Sequence, residues 1–119
     1  MSEAQSVSGD PGIVRDLTAF QQNILVILTE EPRYGLAIKR ELDEYYGDEV
    51  NHGRLYPNLD ELVEMGLIEK SELDKRTNQY ALTEDGYQTI LDQLSWVFTK
   101  LVTDEERAAD LSALIDAVR

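Results

Sequence analysis

Three features of the sequence predict a mainly α-helical fold that carries one small β-hairpin. Apolar residues recur at helical spacing in five separate segments. Between the third and the fourth segment, the pattern changes to two short extended runs with a polar turn between them. The chain has 119 residues, of which 42% are hydrophobic. This is enough for one domain with a modest core.

Three predicted helices precede the hairpin. The first has Asp16 or Thr18 near its start and ends around residues 29–31, before Pro32; its apolar positions are Leu17, Phe20, Ile24, Leu25 and Leu28. The second closes at Gly47, a residue type that ends helices; its apolar positions are Tyr34, Ile38, Leu42 and Tyr45. Asn51 is a suitable cap for the third; its apolar positions are Leu55, Leu59, Leu62, Val63 and Met65.

The predicted hairpin covers residues 67–82. Residues 67–73 form its first strand, residues 74–78 the turn, and residues 79–82 the returning strand. Three helices followed by a hairpin are the plan of a winged helix-turn-helix. In that plan the second helix of the motif fits a DNA major groove, and the hairpin reaches the neighbouring backbone.

Two more helices follow the hairpin. Thr83 is the predicted cap of a long helix that extends to Val102, and a last helix begins at Thr103, which is followed by three acidic residues. A small core with a hairpin cannot cover all these apolar faces, so we expect long N- and C-terminal dimerisation helices and a homodimer. The alternative, that the residues pack only within one subunit, stays open. The expected interface consists of Leu17, Phe20, Ile24, Leu28, Tyr87, Ile90, Leu91, Leu94, Val97, Phe98 and Leu101.

The predicted organisation has three parts. Residues 1–13 form a flexible tail, residues 14–82 a winged helix-turn-helix DNA-binding domain, and residues 83–119 the C-terminal dimerisation helices. The first dozen residues are polar and small and do not have the pattern of a signal peptide. There is no apolar run long enough to span a membrane, and there are no cysteines. We therefore expect a cytoplasmic protein without a membrane partner.

The charge of the chain argues at first against nucleic acid. The chain has twenty-four acidic residues and eleven Lys and Arg residues, which gives a net charge of −13. DNA affinity usually comes from a positive face that releases counterions. The interpretation we favour is adaptation to concentrated salt, because the carboxylates are spread through the chain rather than gathered in a tail.

Several short motifs follow each other at fixed spacing between residues 34 and 86. They are Tyr34-Gly35, Asn51-His52-Gly53-Arg54-Leu55-Tyr56-Pro57, Met65-Gly66-Leu67-Ile68, Leu82-Thr83 and Asp85-Gly86. In these motifs the chain resembles the PadR-like winged-helix transcription regulators. The resemblance implies a homodimer that binds double-stranded DNA at a partly palindromic operator, usually as a repressor. Arg54 stands where the family often has a small polar residue, and the C-terminal region is short for a separate effector domain.

Within that family, the chain is similar to short acidic haloarchaeal members, including a regulator associated with reactive oxygen species. This similarity implies a role in the oxidative stress response of a halophile, and it gives the acidic composition a cause in a salty cytoplasm. The signal that is sensed stays open. Without cysteine, a thiol switch is excluded.

The candidate DNA contacts lie near the helix starts and the wing. Gly53 allows a close approach to a phosphate, and Arg54 suits either a guanine or a phosphate. The alternatives are that Tyr56 packs under the wing and that Arg54 pairs with Asp60 or Glu61. Pro57 predicts a distorted first turn, because it cannot donate to the carbonyl of Gly53. The full set is Arg33, Lys39, Arg40, Asn51, His52, Gly53, Arg54, Tyr56, Asn58, Lys75, Arg76 and Asn78.

Other functions fit the sequence less well. There is no nucleophile–base arrangement and no Gly-rich phosphate loop, so we do not expect an enzyme. The single histidine and the scattered carboxylates do not make a transition-metal site, and we expect no cofactor. We do expect inorganic cations at the DNA interface and a weak or inverted salt dependence of binding. The alternative function is a winged-helix protein–protein adaptor in a transcription assembly.

Overall fold

The computed structural model describes residues 17–74 and 77–119, and its elements follow the predicted order. The helices are α1 (Ala19–Ile27), α2 (Gly35–Tyr46), α3 (His52–Glu64), α4 (Glu84–Leu101) and α5 (Glu105–Val118), and the strands are β1 (Arg33–Tyr34), β2 (Ile68–Asp74) and β3 (Thr77–Leu82). The mainly helical fold with a hairpin wing is confirmed. The tail predicted for residues 1–13 lies outside the described residues, and so do Lys75 and Arg76.

The helix ends follow the local chemistry of the sequence. The hydroxyl of Thr18 accepts the amide of Gln21 at 3.1 Å, and the Gln21 side chain accepts the amide of Thr18 in return. Asn51 caps α3, and Thr83 caps α4 by accepting the amide of Gly86 at 3.0 Å. Helix α2 ends at Gly47, which has a φ of 70°, a backbone conformation that favours glycine.

The sheet has three antiparallel strands in the order β1-β3-β2. Strands β2 and β3 are the predicted hairpin, with Lys70 opposite Tyr80. Strand β1 was not predicted; it pairs Arg33 with Tyr80 and Tyr34 with Gln79. Two residues are too few to show the alternation by which a strand is predicted from sequence. This strand ties the start of α2 to the wing.

The core lies between the first three helices and the base of the hairpin. Ile38, Leu42, Leu55, Leu59 and Leu62 are fully buried in it. The prediction that the apolar face of α1 belongs to a dimer interface is wrong for four residues, because the core of the subunit already covers them. These are Leu17, Phe20, Ile24 and Leu28, each no more than 6% exposed.

Helix α3 runs through Pro57 without a break. The amides of Arg54 and Leu55 both donate to the carbonyl of Asn51 at 3.0 Å, so the first turn is tightened at its start. The prediction of a single third helix is confirmed. Its inner residues position the outer face of the helix toward solvent.

Helices α4 and α5 leave the core. Helix α4 is anchored near its start by Gly86, where an added Cβ would lie 2.1 Å from the carbonyl oxygen of Leu67. Farther along, Leu94 is 42% exposed and Trp96 60% exposed, and no residue of α5 is buried. Among the helices of residues 17–74 and 77–119, none is both long enough and apolar enough to cross a bilayer.

Candidate nucleic-acid interface

Helix α3 presents a polar outer face because its apolar residues point inward. Leu55, Leu59 and Leu62 lie in the core, and positions between them are solvent-exposed. The exposed residues of this face include His52, Gly53, Pro57, Asp60 and Glu64. The first turns of the helix carry Arg54 and no acidic residue, whereas its second half is acidic. Only the start suits a negatively charged duplex.

An open groove runs between the start of α2, the start of α3 and strand β3. It brings together three of the predicted contact residues, Arg40, Tyr56 and Asn78, and it is lined by Tyr34, Gly35, Leu36, Ala37, Arg40, Tyr56, Thr77, Asn78 and Tyr80. The apolar side chains of Tyr34 and Leu36 are also exposed here, at 45% and 48%. Sequence reasoning placed neither of them at the site: Tyr34 was assigned to the apolar face of the second helix, and Leu36 was given no role.

Tyr56 has two environments. Its ring stacks on His52 with centroids 5.8 Å apart, and it packs against the core. Its hydroxyl lies so near Gly35 that a Cβ at that position would be 2.8 Å away. Tyr56 is therefore half-buried beside the wing, as the alternative interpretation of this residue expected, and it also lines the groove.

Tyr80 closes the back of the groove. The residue is 1% exposed. Burial raises the pKa of Tyr80, and the neighbouring Asp60 carboxylate raises it further. The phenol therefore stays uncharged at neutral pH and adds no negative charge to the groove.

Arg54 does not pair with Asp60 or Glu61. Its guanidinium lies over the ring of Phe20, 4.0 Å from the centroid, and 5.8 Å from the centroid of Tyr46. Stacking occupies the face of the guanidinium and leaves the N–H groups at its edge available. Arg54 thus remains an exposed donor at the start of α3.

Arg33 is held by acidic neighbours, and the structure does not support it as a DNA contact. Its guanidinium pairs with Glu30 and, at 3.2 Å, with Glu41. Its side chain is only 18% exposed. A phosphate would have to displace a carboxylate to reach it.

Lys39 also points inward, in contrast to the prediction that it contacts DNA. The residue is 6% exposed, and its ammonium lies 2.9 Å from Asp43 and 3.3 Å from Glu49. The hydrogen bond from Lys39 to Asp43 raises the pKa of the lysine. The amide of Val50, and after it Lys39, lower the pKa of Asp43. Both groups are therefore ionised at neutral pH. The charge of Lys39 is paired with carboxylates of the same subunit and is not presented to a duplex.

Asn58 is engaged within the protein as well. Its amide nitrogen donates to the carbonyl of Arg54 at 2.7 Å, and its oxygen accepts from Gln21 at 3.0 Å. The buried Gln21 also donates to Glu61 at 2.6 Å, so hydrogen bonds from α1 fix the position of α3. Gln21 was missed by sequence reasoning. Its capping-box spacing after Thr18 was the available signal.

The remaining candidate DNA-contact residues lie at the start of α3 or along the groove. Arg40 is exposed, and no ion pair of Arg40 occurs within residues 17–74 and 77–119. His52 and Gly53 are exposed at the start of α3, and Asn51 accepts the Gly53 amide at 2.6 Å. Asn78 is half-buried on the wing strand. In the same part of the chain, no group of three or more His, Asp or Glu side chains is arranged to hold a metal ion.

The family model of the PadR-like transcriptional regulators matches residues 24–92, from α1 into α4. The chain belongs to this family. Among solved structures, RosR of H. salinarum, in crystals grown from NaBr, is 62% identical, with a TM-score of 0.84 over 87% of this chain and 94% of that one. The complex structure of hsRosR-S4 is 61% identical, with a TM-score of 0.86 over 89% of this chain and 92% of that one.

A more distant member of the family was solved with DNA. PadR of Bacillus subtilis in complex with operator DNA is 26% identical to this chain, with a TM-score of 0.55 over 64% of this chain and 46% of that one. No curated protein matches the sequence. The comparisons therefore agree with the winged-helix fold and with its identification as a transcription regulator.

Proposed function

We propose that the protein is a sequence-specific DNA-binding regulator that acts as a homodimer on a partly palindromic operator. The observation that carries this proposal is the exposed start of α3 beside an open groove at the wing, in a chain that is 62% identical to RosR. In this arrangement α3 enters a major groove, and the wing meets the adjacent backbone.

The edge proposed to contact DNA consists of the start of α3 and the groove beside the wing, and it carries few charged side chains. Arg40 and the free edge of the Arg54 guanidinium donate to phosphates, and Gly53 allows a close approach of the α3 backbone. Lys75 and Arg76 at the wing tip are proposed contacts from the sequence alone. Tyr56 and Asn78 line the groove beside the wing, and His52 stacks on Tyr56 at the start of α3.

The homodimer places two such edges on one duplex. The exposed apolar side of α4 supplies the interface, through residues such as Tyr87, Leu91, Leu94, Phe98 and Leu101. A two-fold axis between two copies of α4 sets the two α3 helices about 34 Å apart, on successive major grooves.

The acidic surface defines the conditions in which the regulator works. With a net charge of −13, distant carboxylates repel a duplex in dilute salt. In molar salt the Debye length is about 3 Å, so this repulsion is screened while the short contacts survive. Cations are taken up at the interface. This fits a cytoplasmic regulator in the oxidative stress response of a halophile, the role that the resemblance to short acidic haloarchaeal members of the family implies.

Two experiments test the proposal. Chromatin immunoprecipitation with sequencing should give sharp peaks that share a partly palindromic motif. Duplexes from the strongest peaks should then bind the purified protein at high KCl, and the triple variant Arg54→Ala, Lys75→Ala, Arg76→Ala should lose this binding. Arg119→Ala is the matched control, because Arg119 is basic and exposed but lies at the end of the chain, paired with Asp116.

The opposite results identify the alternative function. If no shared motif emerges, and the triple variant still captures its protein partners, the protein is an adaptor in a transcription assembly. If operator affinity falls steeply as KCl rises from about 0.2 to about 2 M, the proposed screening of the acidic surface is wrong.

A further inference from the structure

The turn between α2 and α3 is organised around one residue, Asp43. Its carbonyl oxygen accepts the amides of Gly47 at 2.9 Å and Asp48 at 3.2 Å. One carboxylate oxygen accepts the amide of Val50 at 2.6 Å, and the other accepts the ammonium of Lys39 at 2.9 Å. Asp43 therefore receives four donors, which come from both α2 and the turn.

These bonds determine where α3 begins. Val50 is 4% exposed and is the last core residue before the cap of α3. Asn51 follows it and accepts the Gly53 amide. A continuous series of contacts thus leads from Asp43 through Val50 and Asn51 to the exposed start of the helix.

Lys39 completes the arrangement by neutralising the carboxylates that surround it. Its ammonium joins Asp43 on α2 to Glu49 in the turn. Replacing Asp43 leaves Lys39, whose side chain is 8% exposed, with Glu49 alone, and replacing Lys39 leaves two carboxylates without the cation between them. The turn should therefore loosen when either Lys39 or Asp43 is replaced.

We propose that Asp43 and Lys39 are positioning residues for DNA binding, which hold the turn that presents the start of α3 and do not touch the duplex. The inference rests on the proposed function, and it deepens that function by naming residues that act through the geometry of α3. It also replaces the sequence-based assignment of Lys39 as a direct contact.

Two conservative variants separate positioning from direct contact. Asp43→Asn keeps an oxygen for the Val50 amide but loses the attraction for Lys39, and Lys39→Met keeps an unbranched apolar stem without the charge. Operator affinity is measured by fluorescence anisotropy at high KCl, with a duplex from the strongest chromatin peak. We expect each variant to bind about tenfold more weakly. Both changes break the same bond, so their effects should not add. We expect the affinity of the double variant to lie within about twofold of that of the single variant that binds more weakly.

A direct contact predicts the opposite sign for Asp43→Asn. That change would free the ammonium for phosphate and remove a negative charge, so binding would stay equal or tighten. Such a result, together with weaker binding by Lys39→Met, would overturn the inference. Asp48→Asn is the matched control, since its carboxylate lies in the same turn and accepts only the adjacent Glu49 amide among the described residues. We expect this control to stay within about twofold of wild type.

A measurement on the turn itself distinguishes positioning from general loss of stability. Hydrogen exchange at the Val50 amide should be slow in wild type, faster in Asp43→Asn and fastest in Asp43→Ala, at a temperature where thermal melts show all three folded. Operator affinity should be lowest for Asp43→Ala. If wild type binds and the folded variants bind equally well, the inference is wrong while the proposed function stands. If wild type itself fails to bind, the proposed function is wrong, and the inference falls with it.

Discussion

The helix-turn-helix half and the C-terminal half of the chain use similar apolar stripes in different ways. In the first half, Leu42 and Leu59 are fully buried by helices of the same subunit. In the second half, Leu94 is 42% exposed and Leu114 is 59% exposed. A stripe at helical spacing therefore predicts that a face will be covered, but it does not tell what covers it. We propose that a second copy of the chain covers the face of α4.

The largest expected difference between the halves is in the cost of shortening a leucine. Leu42→Ala should lower the free energy of unfolding by about 2–5 kcal/mol, because it leaves a cavity in a closed core. Leu114→Ala, its matched variant on α5, should cost less than about 1 kcal/mol within the subunit. Chemical denaturation at high KCl measures both. Equal losses would contradict the distinction between the two halves.

The junction between the halves should tolerate no added side-chain atom at Gly86. Gly86→Ala places a Cβ against the carbonyl oxygen of Leu67, so either α4 or the turn before β2 must shift. The expected loss is about 1–3 kcal/mol, measured by the same denaturation. Ser95→Ala, at an exposed position of the same helix, should change stability by less than about 0.5 kcal/mol. A variant at Gly86 as stable as this control would show that α4 is not docked as described.

A smaller loss is expected at the end of α2. Gly47 has a φ of 70°, and an added Cβ there would meet no atom within 4 Å. The cost of Gly47→Ala is therefore conformational alone, about 1 kcal/mol. Gly47→Asn should recover part of it, since asparagine tolerates this backbone conformation better. A loss from Gly47→Asn as large as that from alanine would contradict this cause.

The smallest expected effect is a change of folding stability at acidic pH. The Val50 amide and Lys39 lower the pKa of Asp43 in the folded state. The resulting stabilisation is thus present above the unfolded pKa of about 3.9 and is lost as pH falls through the folded value. The stability difference between wild type and Asp43→Asn should be constant near neutral pH and shrink below about pH 4. A difference that does not change with acid, or an equal change in Asp48→Asn, would contradict the role of this carboxylate.

Local signals in the sequence predicted much of the fold. Asn51 and Thr83 cap helices, and Gly47 ends one, because caps depend on neighbours within a few residues. The period change after Gly66 identified the hairpin. Strand β1 escaped prediction, because its two residues become a strand only through pairing with β3.

The candidate site was harder to predict, because charge pairing is a property of the folded chain. Arg33 and Lys39 were expected to face DNA as basic residues on a helical surface. Their carboxylate partners include Glu41 and Glu49, and Glu49 lies ten residues from Lys39. The i,i+4 spacing of Lys39 and Asp43 is visible in the sequence, but the approach of Glu49 to Lys39 is not. The same limit explains why the apolar face of α1 was assigned to an interface although the subunit core covers it.

Operator recognition depends most on the pairing of two subunits through α4, since one α3 helix alone cannot read a palindromic site. Analytical ultracentrifugation at about 2 M KCl tests this directly (a salt at which the surface charges are screened). We predict a species of twice the 13.5 kDa chain mass, which binds one operator duplex, and a monomer that binds it far more weakly for Leu94→Asp. A wild-type protein that stays monomeric and still binds the full operator would contradict the account.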